Sequence, residues 1–261
     1  MRQSRRKLEE LLWVTGTHAV ARTIYGATTG RQARRNHSML RNFYGRLLPR
    51  GTLVFDIGAN LGSYAAILAS LGAKVIALEP NPDCIRHIHI SYPRARIETL
   101  QAVAGPEDGL SMIRLSDERD DISSLSNEWI AAMQREHDEY RDLWSRQISV
   151  PMLKLDTLIK HYGFPHFIKI DVEGFEEHVL DGLSSQPPLL SFEFNTAYMS
   201  ATLRCVSKRL FAPESLFNLS VGEPTRLELA NWVRKEQIVD AVRNLGHGDR
   251  YGDIFVRLPA V

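Results

Sequence analysis

Cysteine is nearly missing from this chain: Cys84 and Cys205 are the only two among 261 residues. Two cysteines do not make a disulfide framework at this length, so stability must come from a packed core, and a reducing, cytoplasmic setting is expected. No apolar run approaches the roughly 18 residues of a membrane span. The N-terminus opens with charge and lacks the apolar stretch of a signal peptide. An excess of one charge is missing too. Lys and Arg number 32 against 31 Asp and Glu, which excludes the overall polycation of a non-specific nucleic-acid binder, and no nucleic-acid partner is expected. C-x-x-C and H-E-x-x-H zinc patterns are absent, as is a G-x-S-x-G nucleophile elbow. His87 and His89 lie two apart on a predicted helix and face different ways, so no metal is assigned to histidine. No internal repeat or low-complexity tract is visible.

Apolar residues make up 44% and charged residues 24% of the chain, values of a globular protein with one domain plus an extension. The near-zero net charge conceals an asymmetry. Residues 1–50 carry many arginines but only Glu9 and Glu10 as acids, so the remainder is acidic. This basic N-terminal extension is predicted to form two helices, Leu8–Ile24 and Gln32–Leu48, joined by a turn over Gly26–Gly30. Leu8, Leu11, Leu12 and Trp13 fall on one side of the first. The extension reads as a helical addition packed on residues 51–261. The alternative is peripheral contact with an anionic membrane surface or an acidic protein.

What the chain does have is the stretch Thr52-Leu-Val-Phe-Asp-Ile-Gly-Ala-Asn-Leu-Gly-Ser-Tyr64. A short apolar strand ends in Asp56, a glycine turn follows, and Tyr64–Leu71 continues with helical periodicity. Gly58 and Gly62 permit a sharp turn and close approach to a ligand, toward which the first N–H groups of the new helix point. The spacing D-x-G-x-x-x-G lacks the three-glycine pyrophosphate fingerprint, which disfavours an NAD-dependent oxidoreductase and suits a nucleoside without a pyrophosphate. A second strand, Lys74–Glu79, ends in a carboxylate 23 residues after Asp56. That is near the roughly 20-residue spacing at which an acid reaches a ribose diol, and an ionised carboxylate accepts both hydroxyls.

Val54-Phe-Asp-Ile-Gly-Ala-Asn-Leu-Gly62 and Ala77-Leu-Glu-Pro-Asn-Pro82 resemble S-adenosylmethionine-dependent methyltransferases of the Rossmann-like class. Phe167-Ile-Lys-Ile-Asp-Val-Glu-Gly-Phe-Glu-Glu-His-Val-Leu-Asp-Gly182, with Val150–Leu158 leading toward it, narrows the resemblance to the FkbM family. The resemblance runs from about Gly51 to the C-terminus. It implies an α/β fold: a mostly parallel seven-stranded sheet with helices on both faces, whose last strand is antiparallel between strands five and six. It also implies S-adenosyl-L-methionine as cofactor. The implied activity is O-methylation of a hydroxyl on a sugar, a glycan or glycolipid, or a polyketide-type metabolite. N-methylation of a small molecule or protein is the first alternative, and a non-catalytic cofactor-binding or docking module is the second.

The strands read from the pattern are Thr52–Ile57, Lys74–Glu79, about Ala95–Val103, Phe167–Asp171, Leu189–Asn195, Ser215–Ser220 and Asp253–Leu258. Helices are read over Asp83–Ser91, Ala197–Leu210 and Asn231–Leu245. An insertion of about residues 109–151 interrupts the alternation: Leu110–Leu115 and Ile148–Leu155 are predicted to pair as strands around an aromatic-bearing helix, Asn127–Trp144. Its placement suits a lid or a substrate-shaping element.

On the cofactor side the candidates are Asp56, Gly58, Asn60 and Gly62 of the first turn and Glu79 for the ribose. Gln101 and Ala102 are candidates for the base, because Gly105 stands where the family commonly has an acid near the adenine. Asp171 ends the fourth strand and points into the crevice beyond the strand ends. It is a candidate both for holding the cofactor's ammonium group and for catalysis. Glu173 follows on the same turn, as a second catalytic candidate or as a cap for the next helix. Glu193 and Asn195 share one face of the fifth strand, and Glu193 is the third candidate for the base that must take a proton from a hydroxyl acceptor. Asp171, Glu193 and Asn195 are chemically capable of holding Mg²⁺, but no complete metal pattern is evident. Ser123-Ser124-Leu125 resembles a family loop that approaches the active site.

Overall fold

The computed structural model describes residues 30–116, 123–136, 143–144, 146–246 and 250–259. The predicted helix Leu8–Ile24 and part of the insertion lie outside them. The first described element is α1, Gly30–Leu47. The seven-stranded sheet is built from β1 (Leu53–Ile57), β2 (Lys74–Leu78), β3 (Ile97–Leu100), β7 (Phe167–Ile170), β8 (Leu189–Asn195), β9 (Leu216–Leu219) and β10 (Tyr251–Arg257), in the order β3-β2-β1-β7-β8-β10-β9. The first five strands of that order are mutually parallel, and β10 runs antiparallel between β8 and β9, as the family resemblance implies.

Strand alternation divides the core into two layers. Phe55, Ile57, Ile168, Ile170, Phe192 and Phe194 face one way. They meet α5 (Leu155–Tyr162), α6 (Glu176–Asp181), α7 (Met199–Val206) and α8 (Lys235–Arg243) through Leu158, Val179, Val206 and Val242. Val54, Val75, Phe167 and Phe255 face the other way, against α2 (Ser63–Ser70), α3 (Pro82–Ser91) and α1. Phe43 of α1 packs edge-on to Phe255 at 5.4 Å, and Tyr44 is fully buried. The described part of the extension is therefore covered by the sheet's own side chains.

The expected third strand is divided. After β3 the amide of Ala102 bonds back to Leu100, and the chain turns into β4 (Val103–Ala104). This strand leaves the main sheet to pair with β6 (Arg146–Leu153). β6 also pairs antiparallel with β5 (Gly109–Leu115), opposing Ile113 to Ile148. The insertion thus forms a three-stranded sheet with its own small core of Val103, Ile113, Leu115 and Val150. Its helix α4 is described over Asn127–Glu136. Helix α5 was not anticipated: Leu155 and Leu158 give a short amphipathic turn that a reading of Ile148–Leu155 as strand overran. The helix expected over Ala197–Leu210 begins as a 3₁₀ turn and ends at Val206. The one expected from Asn231 starts only at Lys235, because Val233 is held by Phe217 in a bridge to β9.

Candidate functional site

Consecutive crossovers run in opposite directions from β1, to β2 on one side and to β7 on the other, so the space beyond the carboxyl ends of β1 and β7 is a topological switch point, where open α/β sheets bind ligands. A cleft of about 440 Å³ opens there, a size that takes a small ligand.

The floor of one half is the glycine turn. Gly58 adopts φ +84°, and a Cβ there would lie 1.7 Å from the backbone oxygen of Asp171. Its bareness lets the β1 turn close onto the end of β7. Gly62 (φ +76°) precedes α2, where a Cβ would meet the Ile88 side chain at 2.6 Å. Both glycines therefore answer first to protein neighbours, and of the two only Gly58 lines the cleft. Between them Asn60, also left-handed at φ 48°, donates its N–H to Glu79 Oε2 at 2.7 Å. The N–H of Asn81 donates to Glu79 Oε1 at 2.8 Å. Glu79 is only 4% exposed, yet it lines the cleft, its carboxylate fixed by two amides. Leu78, Ala102, Val103, Ala104, Ile113 and Leu125 give this half an apolar wall. Gln101 turns away, donating to the Pro80 carbonyl at 3.3 Å. At Gly105, where the family commonly carries an acid, a Cβ would sit 2.4 Å from Met152 Sδ, so the Met152 side chain would have to move aside.

The other half is acidic. Asp171, Glu173 and Glu193 place carboxylate oxygens within 4.8 Å of one another, the one such set among the described residues. A divalent cation is chemically compatible with it. Asn195, named with Asp171 and Glu193 as chemically capable of holding Mg²⁺, lines the same cleft, and its Oδ1 accepts the Ala197 N–H at 2.9 Å. Glu173 is held at φ +52°, and its carbonyl accepts the Ser124 hydroxyl at 2.7 Å. The role of capping the segment falls to Glu176, whose Oε1 accepts the N–H groups of Val172 and Gly174 at 3.1 and 3.2 Å. Burial pushes Glu176 up to about 7. Burial, then the neighbouring charges of Glu173, Asp171 and Glu176, raise Glu193 well above the ordinary carboxylate range, against a lowering pull from Lys169.

Beneath the cleft runs a polar ladder that the sequence reading missed. Lys169 is 1% exposed, and its ammonium lies 2.5 Å from Asp171 Oδ2 and 4.5 Å from the centre of the Tyr64 ring. Register places Asp56 and Ser191 beside it on the same face, and sets Asp253 opposite Glu193. Asp56 is 1% exposed and neither of its oxygens has a hydrogen-bond partner among the described residues. It lies below the cleft wall. Burial carries both Asp56 and Asp253 up to about 6, with Lys169 opposing. The Tyr64 hydroxyl donates to Glu223, another unanticipated acid of the cleft. One signal was available: a lysine inside the apolar run Phe167-Ile-Lys-Ile170 demands a buried counter-charge.

An open, mostly parallel α/β sheet with a carboxylate-rich cleft at its switch point is a Rossmann-like architecture. The family described as the Methyltransferase FkbM domain matches residues 56–204, and the chain belongs to that family. Over 160 residues it is 26% identical to the hexuronic acid methyltransferase AglP of Haloferax volcanii, a match that spans 60% of this chain and 61% of that protein. Among solved structures it is similar to a precorrin-6y C5,15-methyltransferase from Geobacter metallireducens GS-15, with a TM-score of 0.43, 11% identity, and 88% and 90% of the two chains covered. It is also similar to cofactor-bound Rv0187 from MTB, with a TM-score of 0.44, 11% identity, and 92% and 89% covered.

Proposed function

We propose that this protein transfers a methyl group from S-adenosylmethionine to a hydroxyl of a saccharide, a glycan or glycolipid, or a polyketide-type acceptor. Glu79 carries the reading. Two backbone amides fix its carboxylate at the cleft wall, and a carboxylate is the acceptor that a ribose diol needs. The apolar wall beside it suits a purine ring, and the missing pyrophosphate fingerprint suits a nucleoside. These residues fit the cofactor. When bound, it supplies an electrophilic methyl carbon whose bond to sulfur breaks with the electron pair left on sulfur.

The chain's own work is to orient the acceptor and take its proton. Asp171, Glu173 and Glu193 crowd together at the acidic end, within reach of a hydroxyl placed between them. Asp171 already holds the Lys169 ammonium. Glu193, at the acidic end of the cleft with its proton affinity raised by burial and by the neighbouring acids, is assigned to receive the hydroxyl proton. Trp129 and Met133 from the insertion close the side of the cleft and exclude water. A hydroxyl-bearing sugar also agrees with what the AglP name says of that relative.

Calorimetric titration with S-adenosylmethionine and S-adenosylhomocysteine, beside NAD and with and without Mg²⁺, tests the reading. Binding of the first two that is severely weakened in Glu79→Ala is expected. Tight binding by that variant, or preference for NAD, would overturn it. Mass and linkage analysis of the product then separates oxygen from nitrogen methylation.

A further inference from the structure

We infer that the outer face of α1 docks on an anionic phospholipid surface, with the guanidinium groups of Arg35, Arg41, Arg46 and Arg50 meeting headgroup phosphates. The inference stands apart from the cofactor reading. Helical periodicity gives α1 two faces. Leu40, Phe43, Tyr44 and Leu48 are buried on the side toward the sheet. Arg35, Met39, Asn42 and Arg46, spaced i, i+4, i+7 and i+11, form one outer stripe, and all four are exposed. Arg41 is exposed beside that stripe, and Arg50 just past the end of the helix. The inner face accounts for how α1 is held, and the arginines add nothing to it.

Among the described residues none of the four arginines holds a carboxylate; Arg41 donates to the Ser70 hydroxyl at 3.3 Å. An exposed helical cation gains from an acid three or four residues away, and cations elsewhere on the surface have acids beside them. Arg86 pairs with Asp83 at i,i+3, Arg204 and Lys208 with Glu177, and Lys74 with Glu98. From Leu11 to Phe55 the sequence holds seven arginines and no acid. The counter-charge for this face must come from outside the chain.

The chemistry of the face selects a phospholipid. Every cation from Leu11 to Phe55 is arginine, whose planar fork meets a phosphate through two parallel hydrogen bonds where lysine offers a point charge. Met39, 38% exposed, stands between Arg35 and Arg46 on the same stripe. An apolar side chain among arginine stems suits the boundary between headgroups and acyl chains, where the stems lie along apolar surface and the charged ends reach water. The 18 residues of α1 span about 27 Å, so its outer stripe can lie along a plane. Overall charge sets the orientation. Residues 1–50 carry 11 Lys and Arg against two acids, and residues 51–261 carry 21 against 29. A negative surface therefore draws the extension inward and turns the acidic remainder outward.

The test is co-sedimentation of the full chain with vesicles of phosphatidylcholine alone and of phosphatidylcholine mixed with phosphatidylglycerol, each over a range of salt. Binding to the anionic vesicles about tenfold or more stronger than to the neutral ones is expected, weakening as salt rises. An arginine beside such a surface is worth about fivefold in partitioning. Arg35→Gln, Arg41→Gln, Arg46→Gln and Arg50→Gln combined should therefore weaken binding by about a hundredfold or more at low salt. An unchanged denaturation midpoint shows that this variant is folded. Arg226→Gln, a surface change at a site paired with Glu228, should leave vesicle binding as it was. Equal binding to both kinds of vesicle, no binding to either, or undiminished anionic binding by the fourfold variant would overturn the inference. So would binding to polyglutamate or to RNA with none to anionic vesicles, which would give the face to an acidic protein or a nucleic acid.

Discussion

Lys169 and Asp171 sit two residues apart on one face of β7, their ammonium and carboxylate 2.5 Å apart and the lysine almost wholly inaccessible. The lysine also opposes the raised proton affinities of Asp56 and Asp253. It is the counter-charge of the whole ladder beneath the cleft.

Lys169→Met keeps the apolar length and deletes the charge. Breaking a buried pair from one side costs about 3–5 kcal/mol, and the acids left behind can recover part of it by taking up protons. Denaturant melts should therefore show a large loss at mildly alkaline pH and a smaller one at mildly acidic pH. A loss of equal size at both would mean that the ladder's acids carry no charge that Lys169 balances.

Glu176 gives a second pH signature. Its folded-state value, raised from 4.5 to about 7 chiefly by burial, means that the native state binds its proton more tightly than the unfolded chain does. Its contribution is thus fully present below about 4.5 and is lost as pH climbs to about 7. Asp56 and Asp253, raised to about 6, act in the same direction, and His166, lowered by burial, acts against it. Glu176→Gln retains an oxygen for the Val172 and Gly174 amides but cannot titrate. Melting temperature against pH across that window should be flatter for the variant than for the parent. Identical slopes would remove the assignment.

The residues that were legible in the sequence are those whose role is written in local order. The run from Asp56 through Gly62 and the acid ending β2 announce a strand, a turn and a ribose-type carboxylate from their spacing alone. Glu173, Glu193 and Asp171 could be named because each ends a strand or follows one. Asp253 and Glu223 could not, since they enter the cleft only through the antiparallel β10 and the loop that follows β9, and pairing across more than fifty residues leaves no local signal. The same holds for β4, a two-residue strand whose partner β6 lies across the whole insertion. Glu176 was overlooked because its work, holding two amides of the preceding turn, resembles ordinary helix-start acidity.

The extension's described helix is tested by Phe43→Ala. Phe43 is 7% exposed and meets both Tyr44 and Phe255 edge-on. Truncating a buried phenylalanine costs about 3–5 kcal/mol, so chemical denaturation should show a loss of that order, in one transition with the sheet. A near-neutral variant, or a separate early transition for α1, would mean that the helix is only loosely docked.

Gly58 and Gly51 separate backbone conformation from space. Both are left-handed, at φ +84° and +76°, but a Cβ at Gly51 has nothing within 4 Å, whereas at Gly58 it would lie 1.7 Å from the Asp171 carbonyl oxygen. Gly51→Ala should cost only the conformational penalty, about 1–2 kcal/mol. Gly58→Ala carries the same penalty and must also push the β1 turn off the end of β7, the junction on which Glu79 and Asp171 are set relative to each other. It should destabilise well beyond Gly51→Ala, and whatever folds should bind S-adenosylhomocysteine poorly. Equal denaturation midpoints for the two variants would show that the turn can move away from β7 without cost, and the cleft would then owe its shape to something other than that contact.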